Sequence, residues 1–234
     1  MRSTSGAIAD RVRRILTELE DVRQDLLALS DDIWLNIDHN DNAAIEEGVQ
    51  FKREYNSRLA KFDEATSRIS GLIQQFTDVH IDAPLDEPIE ERTPTENERI
   101  IRELDRETPH TLDEDFEYKR PYGFVLQGHA YKDLVTWRGV YKKLCQDLAT
   151  RDHARFLGLP GNPKFISSRD NKSFSRNPGE LRRSMLLTDG LHAEVNLSAN
   201  SIKESMRALL EEFGIKPQEL RIYLREDRDA EGRV

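Results

Sequence analysis

Eight apolar residues near the start of the chain follow one another at alternating spacings of four and three. They are Ile8, Val12, Ile15, Leu19, Val22, Leu26, Leu29 and Ile33. A 3.5-residue repeat keeps a narrow apolar stripe on one line along a helix, which is the pattern of a coiled-coil seam. It predicts a helix over residues 5–35, about 45 Å long at 1.5 Å per residue. A stripe of this kind has to be covered by another helix, so the eight residues read as an oligomerisation surface.

The run Asn36–Asn42 (NIDHNDN) interrupts the pattern with residues that favour turns and helix caps. A second stripe then returns through Phe51, Tyr55, Leu59, Phe62, Ile69, Ile73 and Phe76, with Thr66 in its one wide gap. Two helices of similar length joined by a short polar turn make an antiparallel hairpin. A lone hairpin leaves apolar surface in water, and a homodimer or the C-terminal domain would cover it.

Residues 78–116 are dominated by Asp and Glu and carry Pro84, Pro88, Pro94 and Pro109. Such composition buries too little apolar surface to offset chain entropy, so the stretch reads as an acidic linker with a short helix near Glu96–Leu104. From Phe116 the pattern turns globular. A β-hairpin is predicted around Gln127-Gly128-His129, and Thr136 caps a helix with Trp137, Val140, Tyr141, Leu144 and Leu148 on one face. Two short strands are expected at Lys164–Ser168 and Lys172–Ser175, and a short helix capped by Asn177 running to Arg183. A strand at Leu191–Leu197, a helix opened by a Ser201–Glu204 capping box and a strand at Leu220–Leu224 follow. The expected architecture is an all-α antiparallel coiled-coil hairpin (1–77), a linker (78–116) and an α+β domain with a charged tail (117–234).

Charge divides the same way. Residues 1–116 carry 14 Lys and Arg against 28 Asp and Glu, a balance of −14, and the remainder carries 21 against 16, or +5. Within 151–185 lie Arg151, Arg155, Lys164, Arg169, Lys172, Arg176, Arg182 and Arg183, interleaved with Phe156, Phe165 and Phe174. Cations would neutralise phosphates and an exposed aromatic could stack on a base, so this stretch is the candidate contact to DNA or RNA. Arg169, Lys172, Arg176, Arg182 and Arg183 are the residues expected to carry it. The competing reading is a solvated surface over core phenylalanines.

Other chemistry is thinly represented. The single cysteine, Cys145, excludes an intrachain disulfide and a Cys-rich zinc site, and it sits among leucines as a core residue would. His192-Ala193-Glu194 has the spacing of a zinc deaminase but lacks the paired cysteines that complete such a site. Asp38, His39, Asn40 and Asp41 read as helix caps rather than ligands. Asp133, Asp170, Asp189 and Glu194 leave a metal-dependent nuclease as an alternative without diagnostic spacing. No cofactor is implied, no catalytic or metal-binding residue is assigned, and a non-enzymatic role is favoured over an enzymatic one. No apolar run would span a membrane and no secretory signal opens the chain, so a cytoplasmic setting is expected.

Two stretches, Thr136–Cys145 (TWRGVYKKLC) and Glu194–Asn200 (EVNLSAN), resemble an uncharacterised C-terminal module of bacterial restriction and phage-defence proteins. The resemblance covers roughly residues 117–225 and implies an accessory or recognition part with a larger defence-system partner. Together these readings predict a cytoplasmic accessory protein that oligomerises through its helices and presents a basic α+β domain to nucleic acid. The other alternative is a protein–protein adaptor that binds no nucleic acid.

Overall fold

The computed structural model describes residues 6–77, 79, 94–168 and 170–227. Long N-terminal helices are followed by a mixed region of helices and small antiparallel sheets, and the chain divides into two compact units, 1–81 and 82–234. Among the described residues no helix is long and apolar enough to cross a membrane.

The first unit is built on α1 (Gly6–Leu35) and α2 (Asn42–Thr77). Asp41 caps α2 by accepting from the Ala43 amide at 2.9 Å, and Asp38 closes the turn through the Asn40 amide at 2.9 Å. His39 lies against the Trp34 ring, 5.8 Å between centroids. This is the capping role expected of 38–41. Contacts between the helices run antiparallel. The Lys52 ammonium donates to the Asp31 carboxylate and the Ser30 carbonyl, the Tyr55 hydroxyl to the Leu26 carbonyl, and Arg23 Nε to Asp63 at 2.9 Å.

The line of burial on α1 departs from the expected seam. Its buried positions are Leu16, Thr17, Glu20, Arg23, Gln24, Ala28 and Ser30, a face made largely of polar side chains. The seam lies to one side of that face. Val12, Leu19, Leu26 and Ile33 are half-buried, while Ile8, Ile15, Val22 and Leu29 remain 51, 42, 46 and 41% exposed. The helix pair is fastened by Lys52, Tyr55 and Arg23, long side chains that reach across to carbonyls and carboxylates. It therefore does not close over the stripe.

The second unit begins earlier than composition suggested. Residues 78 and 80–93 of the expected linker lie outside the described residues, but Pro94–Leu104 forms α3. Its Ile100 and Leu104 pack with Tyr122, Val125, Ala130 and Tyr223. Leu112 and Phe116 are buried in the main core. The linker reading is corrected from residue 94 onward: a few well-placed apolar anchors suffice to dock an otherwise acidic segment.

The first sheet joins β1 (Pro121–Leu126), β2 (His129–Lys132) and β6 (Leu220–Leu224) in the order β2-β1-β6, all antiparallel. Gln127 and Gly128 form its hairpin turn with φ of 47° and 84°. Positive φ at both central positions is what a two-residue turn needs to match strand twist, and glycine takes it without strain. Side chains alternate across this sheet. Phe124, Leu126, Tyr131, Ile222 and Leu224 belong to the main core, and Val125, Ala130 and Tyr223 meet α3. Every residue of β1 is buried because both faces are covered. Asn97 of α3 also occupies the β2 end of the hairpin, donating to the Gly128 carbonyl and accepting from the Ala130 amide.

The core turns on α4 (Trp137–Arg151), capped by Thr136, whose hydroxyl accepts from the Gly139 amide at 2.9 Å. Trp137 stacks near Phe116 at 4.7 Å and donates its indole N–H to the Lys119 carbonyl at 2.8 Å. A short α5 (His153–Leu157) follows, and then a 3-10 turn at Pro163–Phe165 and an isolated bridge between Ile166 and Lys172. These replace the strand expected at 164–168. The second sheet is ordered β3-β5-β4, from β3 (Phe174–Ser175), β4 (Ser184–Thr188) and β5 (Leu191–Glu194). The segment capped by Asn177 is a single 3-10 turn, Pro178–Glu180, so the short helix expected through Arg183 gives way to β4. The last helix, α6 (Ala199–Glu212), is capped by Ser198, with Ser201 supplying the amide that the cap accepts from. The helix thus opens three residues before the capping box expected at Ser201, on a single side-chain cap.

Candidate interaction surfaces

The basic stretch is placed on turns and sheet edges, but its charges are mostly spoken for. Arg151 binds Asp147 at 2.6 Å, Lys164 reaches Glu211 at 3.3 Å, and Arg155 lies over the Phe213 ring. Of the five expected contact residues, Arg169 lies outside the described residues. Lys172 pairs with Glu180 at 2.9 Å, and that hydrogen bond and charge raise its pKa above the ordinary lysine value. Arg176 is exposed and, among the described residues, reaches the Asp189 carbonyl at 3.5 Å. Arg182 is exposed, and its backbone amide is held at 2.6 Å by Glu194. Arg183 is half-buried beside it and makes polar interactions of its own.

The interleaved phenylalanines are core. Phe156, Phe165 and Phe174 are 0, 5 and 1% exposed and pack together with Phe213 at 5.3–6.4 Å. No base can stack on them, so that part of the expectation is corrected. Rings with this much area to bury were the stronger claim on the interior. What remains outward is two exposed guanidiniums at opposite ends of β5, Arg176 near the Asp189 turn and Arg182 near Glu194, suited to anions rather than to bases.

The remaining candidates resolve into structure. Cys145 is fully buried, and burial pushes its thiol pKa far up, away from reactivity. His192 and Glu194 face outward while Leu191 and Ala193 face in, as alternation required. Glu194 accepts from the amides of Arg182, Arg183 and Asn196, holding the chain around β5. Among the described residues no group of three or more His, Cys, Asp or Glu side chains is arranged to hold a metal ion.

Two histidine networks involve residues that no sequence motif marks. His129 Nδ1 lies 2.8 Å from Asp147, which is 3% exposed and also accepts from the Tyr131 hydroxyl at 2.7 Å. The signal was present in the sequence: an acid at 147 sits between Leu144 and Leu148 on a helix face otherwise apolar. His110 is bracketed, with Nδ1 2.7 Å from Glu114 and Nε2 2.8 Å from Asp227. Its backbone pairs with Ile222, so the network ties residues 110–114 to the end of the described chain.

Two carboxylates on the two ring nitrogens favour the doubly protonated imidazolium. Burial alone would lower the His110 pKa. The hydrogen bonds and negative charges of Glu114 and Asp227 outweigh it, and the pKa is raised above the ordinary 6.5. A raised folded-state pKa gives stability that is fully present below pH 6.5 and lost as pH rises through the folded value. The full chain is expected to lose stability across that window, and His110→Gln to flatten the loss. Urea midpoints measured from pH 6 to 9 test it. Identical slopes in both proteins would show that the bracket contributes nothing.

The outward row Ile8, Ile15, Val22 and Leu29 is the other candidate surface. Its members stand seven residues apart, about 10.5 Å along the helix at 1.5 Å per residue, and span about 32 Å. In the last turns of α2, Ile69, Leu72 and Phe76 are 52, 68 and 83% exposed. No protein-family profile, curated protein or solved structure matches this chain.

Proposed function

We propose that this chain is a non-enzymatic accessory protein that self-associates through a coiled-coil contact on α1 and presents its α+β unit for recognition of a polyanion. The observation that carries the reading is the row of four exposed aliphatic side chains at a strict seven-residue period. Scattered exposed apolar residues are ordinary on a soluble surface, but a periodic line of them is the form a helix-to-helix contact takes. Two recognition units on one dimer would bind a long polyanion with greater avidity than either alone.

The ligand proposed is nucleic acid, contacted through phosphates by Arg176 and Arg182, with Lys172 and Arg183 at the margin. Among the described residues Arg176 makes one long contact, to a carbonyl, so binding phosphate would cost it little. Contacts of this kind carry no base sequence, so binding should be nonspecific and steeply salt-dependent. Arg176→Glu/Arg182→Glu is expected to abolish binding at low salt. Replacing both by alanine should reduce the slope of log K against log salt by about 2. Fluorescence anisotropy with a labelled duplex from 25 to 200 mM salt measures both. Absence of binding at the lowest salt would refute the nucleic-acid reading and leave the protein–protein adaptor. On the likeness of TWRGVYKKLC and EVNLSAN alone, the setting proposed is a bacterial restriction or phage-defence system.

A further inference from the structure

We infer that the partner on the exposed row is a second copy of this chain, and that the two α1 helices meet antiparallel about a two-fold axis between Ile15 and Val22. The inference rests on the self-association proposed above and adds its geometry. In a two-fold interface, residue i meets j and j meets i. The spacing of the row satisfies that condition: one antiparallel register sets Ile8 opposite Leu29 and Ile15 opposite Val22, and every member of the row has an aliphatic counterpart.

The charge distribution along α1 selects this orientation. Arg11, Arg13 and Arg14 lie with Asp10 in its first third, whereas Glu18, Asp21, Asp25 and Asp32 follow; of the other charges there, Glu20 and Arg23 are buried and Asp31 pairs with Lys52. Among the described residues, Arg13 and Arg14 pair with Asp10 and Glu18 on the same helix, with side chains 57 and 70% exposed. Antiparallel pairing lays Arg11–Arg14 of one copy beside residues 23–26 of the other, next to Asp25. Parallel pairing in register would lay the acidic half of each helix on the acidic half of its partner. Opposite charges flanking a helical seam set its orientation, and like charges exclude the alternative.

Disulfide trapping of the full chain distinguishes the arrangements. Ile8→Cys and Leu29→Cys variants are oxidised separately and as an equimolar mixture, and linked dimers are resolved without reductant. The native Cys145 is fully buried and does not compete. Like positions would stand about 32 Å apart in the antiparallel pair, far beyond the ~6 Å Cα separation a disulfide spans. The expected result is at least tenfold more linked dimer in the mixture than in either variant alone. Linkage within each single variant would overturn the antiparallel orientation while leaving self-association intact. A dimer by mass that gives no linkage in the mixture would also overturn it, by showing that another surface pairs. A monomer at every concentration would remove the self-association itself.

Discussion

Asp147→Ala is expected to destabilise the second unit by about 3–5 kcal/mol, the cost of removing one partner from a buried charged pair. The carboxylate is 3% exposed and satisfies Arg151, the Tyr131 hydroxyl and His129 at once. Its loss removes the acceptor of the Tyr131 hydroxyl, the carboxylate that Arg151 pairs with and one partner of the His129 ring. At about 2–4 °C of melting temperature per kcal/mol for a unit of this size, the midpoint should fall by roughly 6–20 °C. Asp147→Asn keeps the shape and one acceptor, and should cost less. Thermal unfolding of the full chain followed by circular dichroism measures both. A change of less than 1 °C for Asp147→Ala would mean that the network does not hold α4 to β2.

The second large effect concerns association. Ile15→Asp/Val22→Asp places two charges per chain at the centre of the proposed contact. Burying one Val or Ile side chain is worth about 1.5–3 kcal/mol, and four such side chains meet at the axis of a dimer. Partial burial of each still amounts to several kcal/mol, so the dimer dissociation constant should rise at least about a thousandfold at ~1.4 kcal/mol per tenfold. Folding should be nearly untouched, because Ile15 and Val22 are 42 and 46% exposed within a single chain. Leu16→Asp is the contrast: Leu16 is 1% exposed, so charge there should unfold the helix pair. Equal loss of helicity in both variants would show that Ile15 and Val22 pack within the chain.

Local signals carried far into this fold. The two long helices, the Thr136 cap, the Gln127-Gly128 hairpin and the strand at 220–224 all follow from periodicity, caps and turns that lie close together in sequence. The failures came where distant contacts decide. Ser184–Thr188 has no alternation of its own and is a strand because β5 pairs with it. A clue to that hairpin was nonetheless present, since Asp189-Gly190 is a turn dipeptide, and both take positive φ at 45° and 70°. Averaged composition hid Ile100, Leu104, Leu112 and Phe116 among the acids of 94–116. Which face of α1 turns toward α2 is likewise not given by the seam, which reads as an oligomerisation surface. Period identifies which residues share a line on α1, but the polar grip of Lys52, Tyr55 and Arg23 determines which face turns inward.

The same limit applies to the candidate sites. The sequence marked the cations of 151–185, but could not show which would be neutralised by Asp147, Glu180 or Glu211. It could not decide that Phe156, Phe165 and Phe174 fill the core instead of flanking the arginines. Arg176 and Arg182 stand out only once those pairings are known. The exposed row is the opposite case. Its spacing was legible from the first 33 residues, and the structure added that half of it remains outside.

Sedimentation equilibrium of the full chain from 1 to 100 μM, with Ile15→Asp/Val22→Asp alongside, decides whether α1 joins two copies of the chain. The expected masses are twice 27.1 kDa for the parent and 27.1 kDa for the variant at equal helicity. A parent that stays at 27.1 kDa throughout, or a variant that dimerises as well as the parent, would contradict the α1 contact.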